Sequence, residues 1–176
     1  MEMRWLSCAG VYTALGDRLL PSWFLRSLVP ALGQGLRVFW IDAGNSFDAY
    51  GLGRSARASG LDPGRVLSRI QLARPFNVFQ LQTMVRTRLP ALWRGEPVVL
   101  SDPLGPFYDE DLSDAEAGRA WEGLRAGLRG LGAAWLVLAV LRRRPEGRRD
   151  VLQALVESSD RLARLGPEGL AGLEQR

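Results

Sequence analysis

The sequence predicts an α/β protein with a mostly parallel central sheet flanked by helices, and three observations carry that expectation. Two short apolar runs, VFWID at 38–42 and PVVLS at 97–101 with Asp102 directly after it, read as strands buried on both faces. Stretches with apolar residues at helical spacing lie between such runs, as in 20–33 and 77–93. Strand and helix signals alternate along the chain, which is the pattern of crossover units wound with one hand.

Taken in order, Arg4–Ala9 (RWLSCA) is expected as the first strand and Gly10–Arg18 (GVYTALGDR) as the loop after it. The segment LLPSWFLRSLVPALG has Pro21 near its first turn, apolar Leu20, Trp23, Phe24, Leu28 and Leu32 on one face, and Gly33 as its stop. The strand at 38–41 follows and places Asp42 at its carboxyl end, the edge where ligands bind in open α/β sheets. Asp48–Ser59 reads as a short helix and Arg69–Ala73 (RIQLA) as a strand. Asn77 is an expected N-cap for VFQLQTMVRTRLPALW, which leads to the strand Pro97–Ser101. Ser113 with Glu116 forms a capping-box pattern for a helix reaching Leu131, and Ala134–Leu141 is the next strand. A single domain over 1–176 is expected, with a flexible tail from about 166.

Composition removes several kinds of chemistry. Cys8 is the sole cysteine and histidine is absent, which excludes a disulfide framework, Cys/His zinc sites and a histidine base. All 23 basic residues are Arg, so no lysine can hold a phosphate or form a Schiff base. The net charge of +4 is unevenly spread: residues 1–100 carry 12 Arg against 6 acids, and 101–176 carry 11 against 13. The apolar run Ala133–Leu141 is too short to span a bilayer, and Ser7, Cys8, Tyr12 and Thr13 interrupt any signal-peptide core. A soluble, cytoplasmic protein with no membrane partner is expected.

Three stretches resemble the nucleotide-binding core of the RecA/RadA recombinase superfamily, in its RadA-like branch, over about residues 4–141. VFWIDAGNSF is similar to a strand ending in Asp and an acidic D-T-E-G-T-F turn. SARASGLDPGRVLSRIQLARPFN is similar to the Gly-Leu-Asp-Pro segment that leads to a strand, an Ala-Arg and an aromatic-Asn. PVVLSDPLGPFYDED is similar to the Walker B strand with its Asp. The resemblance implies a three-layer RecA-like fold.

It also implies a defect. A phosphate-binding loop reads GxxxxGK followed by Ser or Thr, its amides cradling phosphate and its Lys contacting the β and γ groups. At the matching place stand Gly10 and Gly16, with five residues between them, then Asp17 and Arg18. Gly44 falls where the family carries the Glu that activates water, whereas Asp102 keeps the Walker B position. The expectation is a pseudo-ATPase with no cofactor and no catalytic residue. As plain structure, Gly10 and Gly16 are turn glycines, Asp42 hydrogen-bonds a neighbouring loop, and Asp102 is either a relic or a weak ligand. The aromatic residues are read chiefly as core.

After the strand 134–141 comes RRRPEGRRD, in which Arg142, Arg143, Arg144, Arg148 and Arg149 are broken by Pro145 and Gly147. Such a run suits phosphate contacts without base readout, at a place where the family has a mobile DNA-contacting loop; the other reading is a solvated hairpin. Three functions stay open. One is an accessory factor in DNA recombination or repair that binds DNA, expected single-stranded, and/or a partner protein of that pathway. Another is a regulatory interaction module of the same fold without DNA contact, and the third a weak ATPase with an aberrant loop. The family's filaments join through a strand and aromatic anchor preceding the core; without these, a small closed oligomer or a heterologous partner is expected.

Overall fold

The computed structural model of the chain describes residues 8–142, 150–166 and 169–175. Its centre is a seven-stranded sheet made of β1 (Gly10–Gly16), β2 (Val38–Asp42), β3 (Ile70–Ala73), β4 (Val98–Ser101), β5 (Ala134–Val140), β6 (Arg161–Gly166) and β7 (Gly169–Gln175). The spatial order is β3-β2-β4-β5-β1-β6-β7, all parallel except β7, which runs antiparallel to β6. Helices α1 (Leu20–Ser27), α2 (Val29–Gly33), α3 (Ala49–Ala58) and α4 (Pro63–Leu67) cover one face. Helices α5 (Val78–Thr83), α6 (Leu89–Leu92), α7 (Asp114–Gly130) and α8 (Val151–Ser158) cover the other. The fold is therefore a three-layer α/β arrangement with a mostly parallel sheet.

Alternation along each strand divides the core between the layers. Val38, Trp40, Val99, Leu136 and Leu138 face Phe24, Leu25, Leu32, Leu52 and Val66. Phe39, Ile41, Val98, Leu100, Trp135 and Val137 face Leu81, Val85, Leu89, Trp121, Leu124 and Leu155. With both faces covered, β2 and β4 are buried throughout, which is why they read as uninterrupted apolar runs.

The helix borders follow from single residues. Pro30, in the first turn of α2, has no N–H to donate to the Arg26 carbonyl four residues back, and the helix breaks at Leu28 between α1 and α2. The stretch 77–93 is not one regular helix: a π-helical turn at Met84–Arg88 separates α5 from α6. Pro90 has no N–H to donate and its ring crowds the carbonyl four residues back, so the ladder widens ahead of it. Asp48 caps α3, Asp62 caps α4, Asn77 caps α5 and Asp150 caps α8, and Ser113 with Glu116 completes the capping box of α7.

The expectation about the chain's first strand is corrected. Gly10–Gly16 is not a loop but β1, near the middle of the sheet, paired residue for residue with β5 from Gly10↔Ala134 to Gly16↔Val140 and also with β6. Val11, Tyr12 and Thr13 are residues that suit a pleated surface, and both faces of the strand are covered. Of the strand expected at Arg4–Ala9, residues 4–7 lie outside the described residues, and Cys8 and Ala9 are not in a strand. Residues 169–175 form β7 and pair with β6.

Connections β1→β2 and β2→β3 cross the α1–α4 face in one direction. Connections β3→β4, β4→β5 and β5→β6 cross the opposite face in the other direction, as a single hand of crossover requires. Neighbouring strands β2 and β4 thus send their chains to opposite faces. Such a switch opens a crevice at the carboxyl edge of the sheet.

Candidate functional site at the carboxyl edge of the sheet

Asp42 and Asp102 stand at that crevice because β2 and β4 are in register, Asp42 opposite Ser101. Asp42 is buried and fully engaged. Its Oδ1 accepts from the Ser46 amide at 2.8 Å, the Ser46 hydroxyl at 3.1 Å and the Ser101 hydroxyl at 3.0 Å. Its Oδ2 accepts from the Phe47 amide at 2.9 Å and from Arg74 Nε at 3.1 Å. A carboxylate offers about four acceptor positions, so these five donors leave none for a metal. Asp42 serves as the anchor of loop 43–47, as its plainer reading has it. The anchor extends inward, since Trp40 Nε1 donates to Ser101 Oγ at 3.1 Å, and Phe47 packs edge-on against Trp40 with centroids 5.6 Å apart.

Asp102 is different. It is only 3% exposed, adopts φ +49°, and its amide donates to the Leu138 carbonyl at 2.7 Å. Its Oδ2 accepts from Arg142 Nη2 in an ion pair, whereas Oδ1 has no hydrogen-bond partner among the described residues. Burial pushes its carboxyl up to about 6, against the opposing pull of the Arg142 charge and the Gly105 amide; the nearby Asp42 adds to the rise. Removing water from the carboxylate thus outweighs the ion pair.

Gly44 packs directly on this side chain. A Cβ built there lies 2.6 Å from Asp102 Cβ and 2.8 Å from Asp102 Cγ, so the position has no room for a side chain while Asp102 keeps its place. Gly105 approaches more loosely, its notional Cβ 3.4 Å from both Asp102 Oδ2 and Arg142 Nη1.

The β1–α1 junction completes this edge. Only residues 17–19 separate Gly16 from Leu20. Asp17 Oδ1 accepts the Leu19 amide at 2.8 Å and the Asp17 carbonyl accepts the Leu20 amide at 3.1 Å, while Asp17 and Arg18 face solvent. Gly10 and Gly16 are at opposite ends of a seven-residue strand, about 20 Å apart at 3.3 Å per residue, and cannot bracket one phosphate.

Of the residues singled out from the sequence, Asp42, Gly44, Asp102 and Arg142 come together, Gly16, Asp17 and Arg18 share their edge of the sheet, and Gly10 lies at the opposite edge. Arg142 is tied to Asp102 rather than free to meet a phosphate, and Arg143, Arg144, Arg148 and Arg149 lie outside the described residues. Arg74 was not singled out, although the Ala-Arg pair closing β3 was its signal; the guanidinium bridges Asp42 and, at 3.3 Å, the Phe47 carbonyl. Beside it a cleft of about 450 Å³ is lined by Arg74, Pro75, Asn77, Phe79, Gln80, Thr83, Met84 and Arg88.

Among the described residues no three His, Cys, Asp or Glu side chains gather as a metal set, and no helix is long and apolar enough to cross a membrane. No protein-family model matches the chain, and no curated protein matches it.

Proposed function

We propose that this chain is a catalytically inactive RecA-like paralogue, acting as an accessory factor in DNA recombination or repair that binds DNA and a partner protein without nucleotide. The observation that carries this reading is the strand at Gly10–Gly16, followed by a three-residue link with Asp17 in it. A phosphate cradle needs several converging free amides and a nearby cation. Here the amides of residues 10–16 lie in a strand paired on both sides, Asp17 takes the Leu19 amide, and its own charge repels phosphate. The lack of space at Gly44 supports the same reading, because the residue that would activate water has nowhere to sit. The setting we assign is cytoplasmic.

DNA binding in this proposal rests on the arginine run 142–149. Arg142 is left out of its test, since removing it would strand Asp102 without its ion pair. Replacing Arg143, Arg144, Arg148 and Arg149 by Ala should weaken binding to an oligonucleotide and flatten its dependence on log salt by about 3, at roughly 0.7 per lost contact on a single strand. Fluorescence anisotropy across a salt series measures both. Wild-type protein that binds no DNA at low salt would remove this reading.

A second reading, an interaction module without DNA contact, is favoured by β3. Among the described residues it is the outermost strand and pairs only with β2, and its Leu72 is 42% exposed, so its other edge can accept a strand from another protein. Absence of DNA binding, together with a stable complex or small oligomer in light scattering, would select it.

A further inference from the structure

Directly after β3 the chain presents two phenyl rings to solvent on a rigid turn. Phe76 is 84% exposed and Phe79 47% exposed, while Pro75 before them and Val78 between them are buried and pin the backbone. The turn is locked twice over: the Phe76 amide donates to Gln80 Oε1 at 2.9 Å, and the Gln80 amide donates to Asn77 Oδ1 at 2.9 Å. An exposed aromatic on a floppy loop is ordinary surface. One held on a reciprocal cap has already lost the freedom that binding would otherwise remove.

The surroundings favour an anionic ligand. Among the described residues the adjoining cleft is lined by Arg74 and Arg88 and by no acidic side chain. Arg74 spends its Nε on Asp42 and its Nη2 on the Phe47 carbonyl, which fixes the guanidinium and leaves Nη1 directed elsewhere. Thr83 is exposed on the same cleft, its hydroxyl donating back to the Phe79 carbonyl at 2.8 Å. The cleft opens at the carboxyl edge of the sheet, the edge that also carries Arg142 after β5. Three strand spacings separate β3 from β5, about 14 Å, within reach of one short oligonucleotide.

We infer that Phe76 and Phe79, with Arg74 and Arg88 beside them, form a stacking platform for the bases of a single-stranded nucleic acid. Aromatic faces accept any base, and flanking guanidinium groups hold the phosphates, so the platform discriminates single strand from duplex rather than one sequence from another. Paired bases stay stacked on each other and cannot reach the rings. The inference rests on the DNA-binding reading above and specifies the form of DNA.

The test is anisotropy with a fluorescein-labelled oligothymidylate about 16 nucleotides long, and with a duplex of equal length. It uses wild-type protein, the double variant Phe76→Leu/Phe79→Leu, and Phe76→Ala/Phe79→Ala. The Leu variant keeps apolar bulk without a π face, and thermal melts check that each variant folds. The expected result is a loss of about tenfold or more in single-strand affinity for both variants with duplex binding unchanged. Unchanged single-strand affinity in the Leu variant would overturn the platform while leaving DNA binding through the arginine run intact, and so would an equal loss for both forms of DNA. If the wild type binds neither form, the DNA reading fails and the platform with it; variants that then differ from wild type only in self-association mark the patch as a protein-docking surface.

Discussion

Replacing Asp42 by Ala should destabilise the protein by about 3–5 kcal/mol, the cost of leaving several buried donors without their acceptor, since Arg74 is half-exposed and can turn to water. Five donors lose their acceptor together: the Ser46 amide and hydroxyl, the Phe47 amide, the Ser101 hydroxyl and Arg74 Nε. Loop 43–47 then has lost its anchor, and Phe47 lifts from Trp40, which is itself wholly buried. For a chain of this size the loss corresponds to a fall of roughly 10 °C in Tm, accompanied by a change in tryptophan emission from Trp40. Asp42→Asn should fall between the two, because the amide keeps one oxygen for Ser46 or Ser101 but turns its NH₂ toward donors. A shift of only a degree or two in the Ala variant would mean that backbone pairing alone holds the loop.

Gly44→Glu, which would place at 44 the residue that RecA-like ATPases use to activate water, should instead damage the protein. A Cβ alone meets Asp102 Cβ at 2.6 Å, and crowding of that kind costs about 1–3 kcal/mol; a full Glu side chain adds a second carboxylate beside Asp102 and Asp42. The cost is steric rather than conformational, as Gly44 is not among the glycines with positive φ. Urea melts of Gly44→Ala and Gly44→Glu should show a graded loss. Gly130→Ala at the end of α7, where a Cβ meets nothing within 4 Å, should be close to neutral. A fully stable Gly44→Glu protein with new ATP hydrolysis would refute the steric account.

Which parts of this molecule were legible in its sequence follows from where the deciding interactions lie. Buried parallel strands leave continuous apolar runs, so 38–42, 97–101 and 134–141 were visible, and the local caps at Asn77 and Ser113 were readable because each acts within a few residues. β1 was not. Its two terminal glycines punctuate like a loop, and only its pairing with β5 and β6, more than 120 residues away, makes 10–16 a strand. β6 carries Arg161 and Arg164 among its apolar residues, which gives no clean alternation, and its place is set by β1. At the site, Asp42 and Asp102 were visible as strand ends. Their partners Arg74 and Arg142 lie 32 and 40 residues away and are tertiary facts. The same holds for aromatics: Trp40, Trp135 and Phe24 are core as expected, yet Trp23 is 37% exposed and Phe76 stands almost free of the protein. Sequence records that a residue is aromatic, and only the packing of neighbours decides whether water or protein covers it.

The central claim is that this fold holds no nucleotide, and calorimetric titration of the wild-type protein with magnesium and ATP measures it directly. The strand at Gly10–Gly16, the Asp17 carboxylate at the head of α1 and the occupied space at Gly44 predict no binding heat and no difference between buffers with and without magnesium. Magnesium-dependent binding at about 10 μM or tighter, lost on Asp102→Asn, would contradict it.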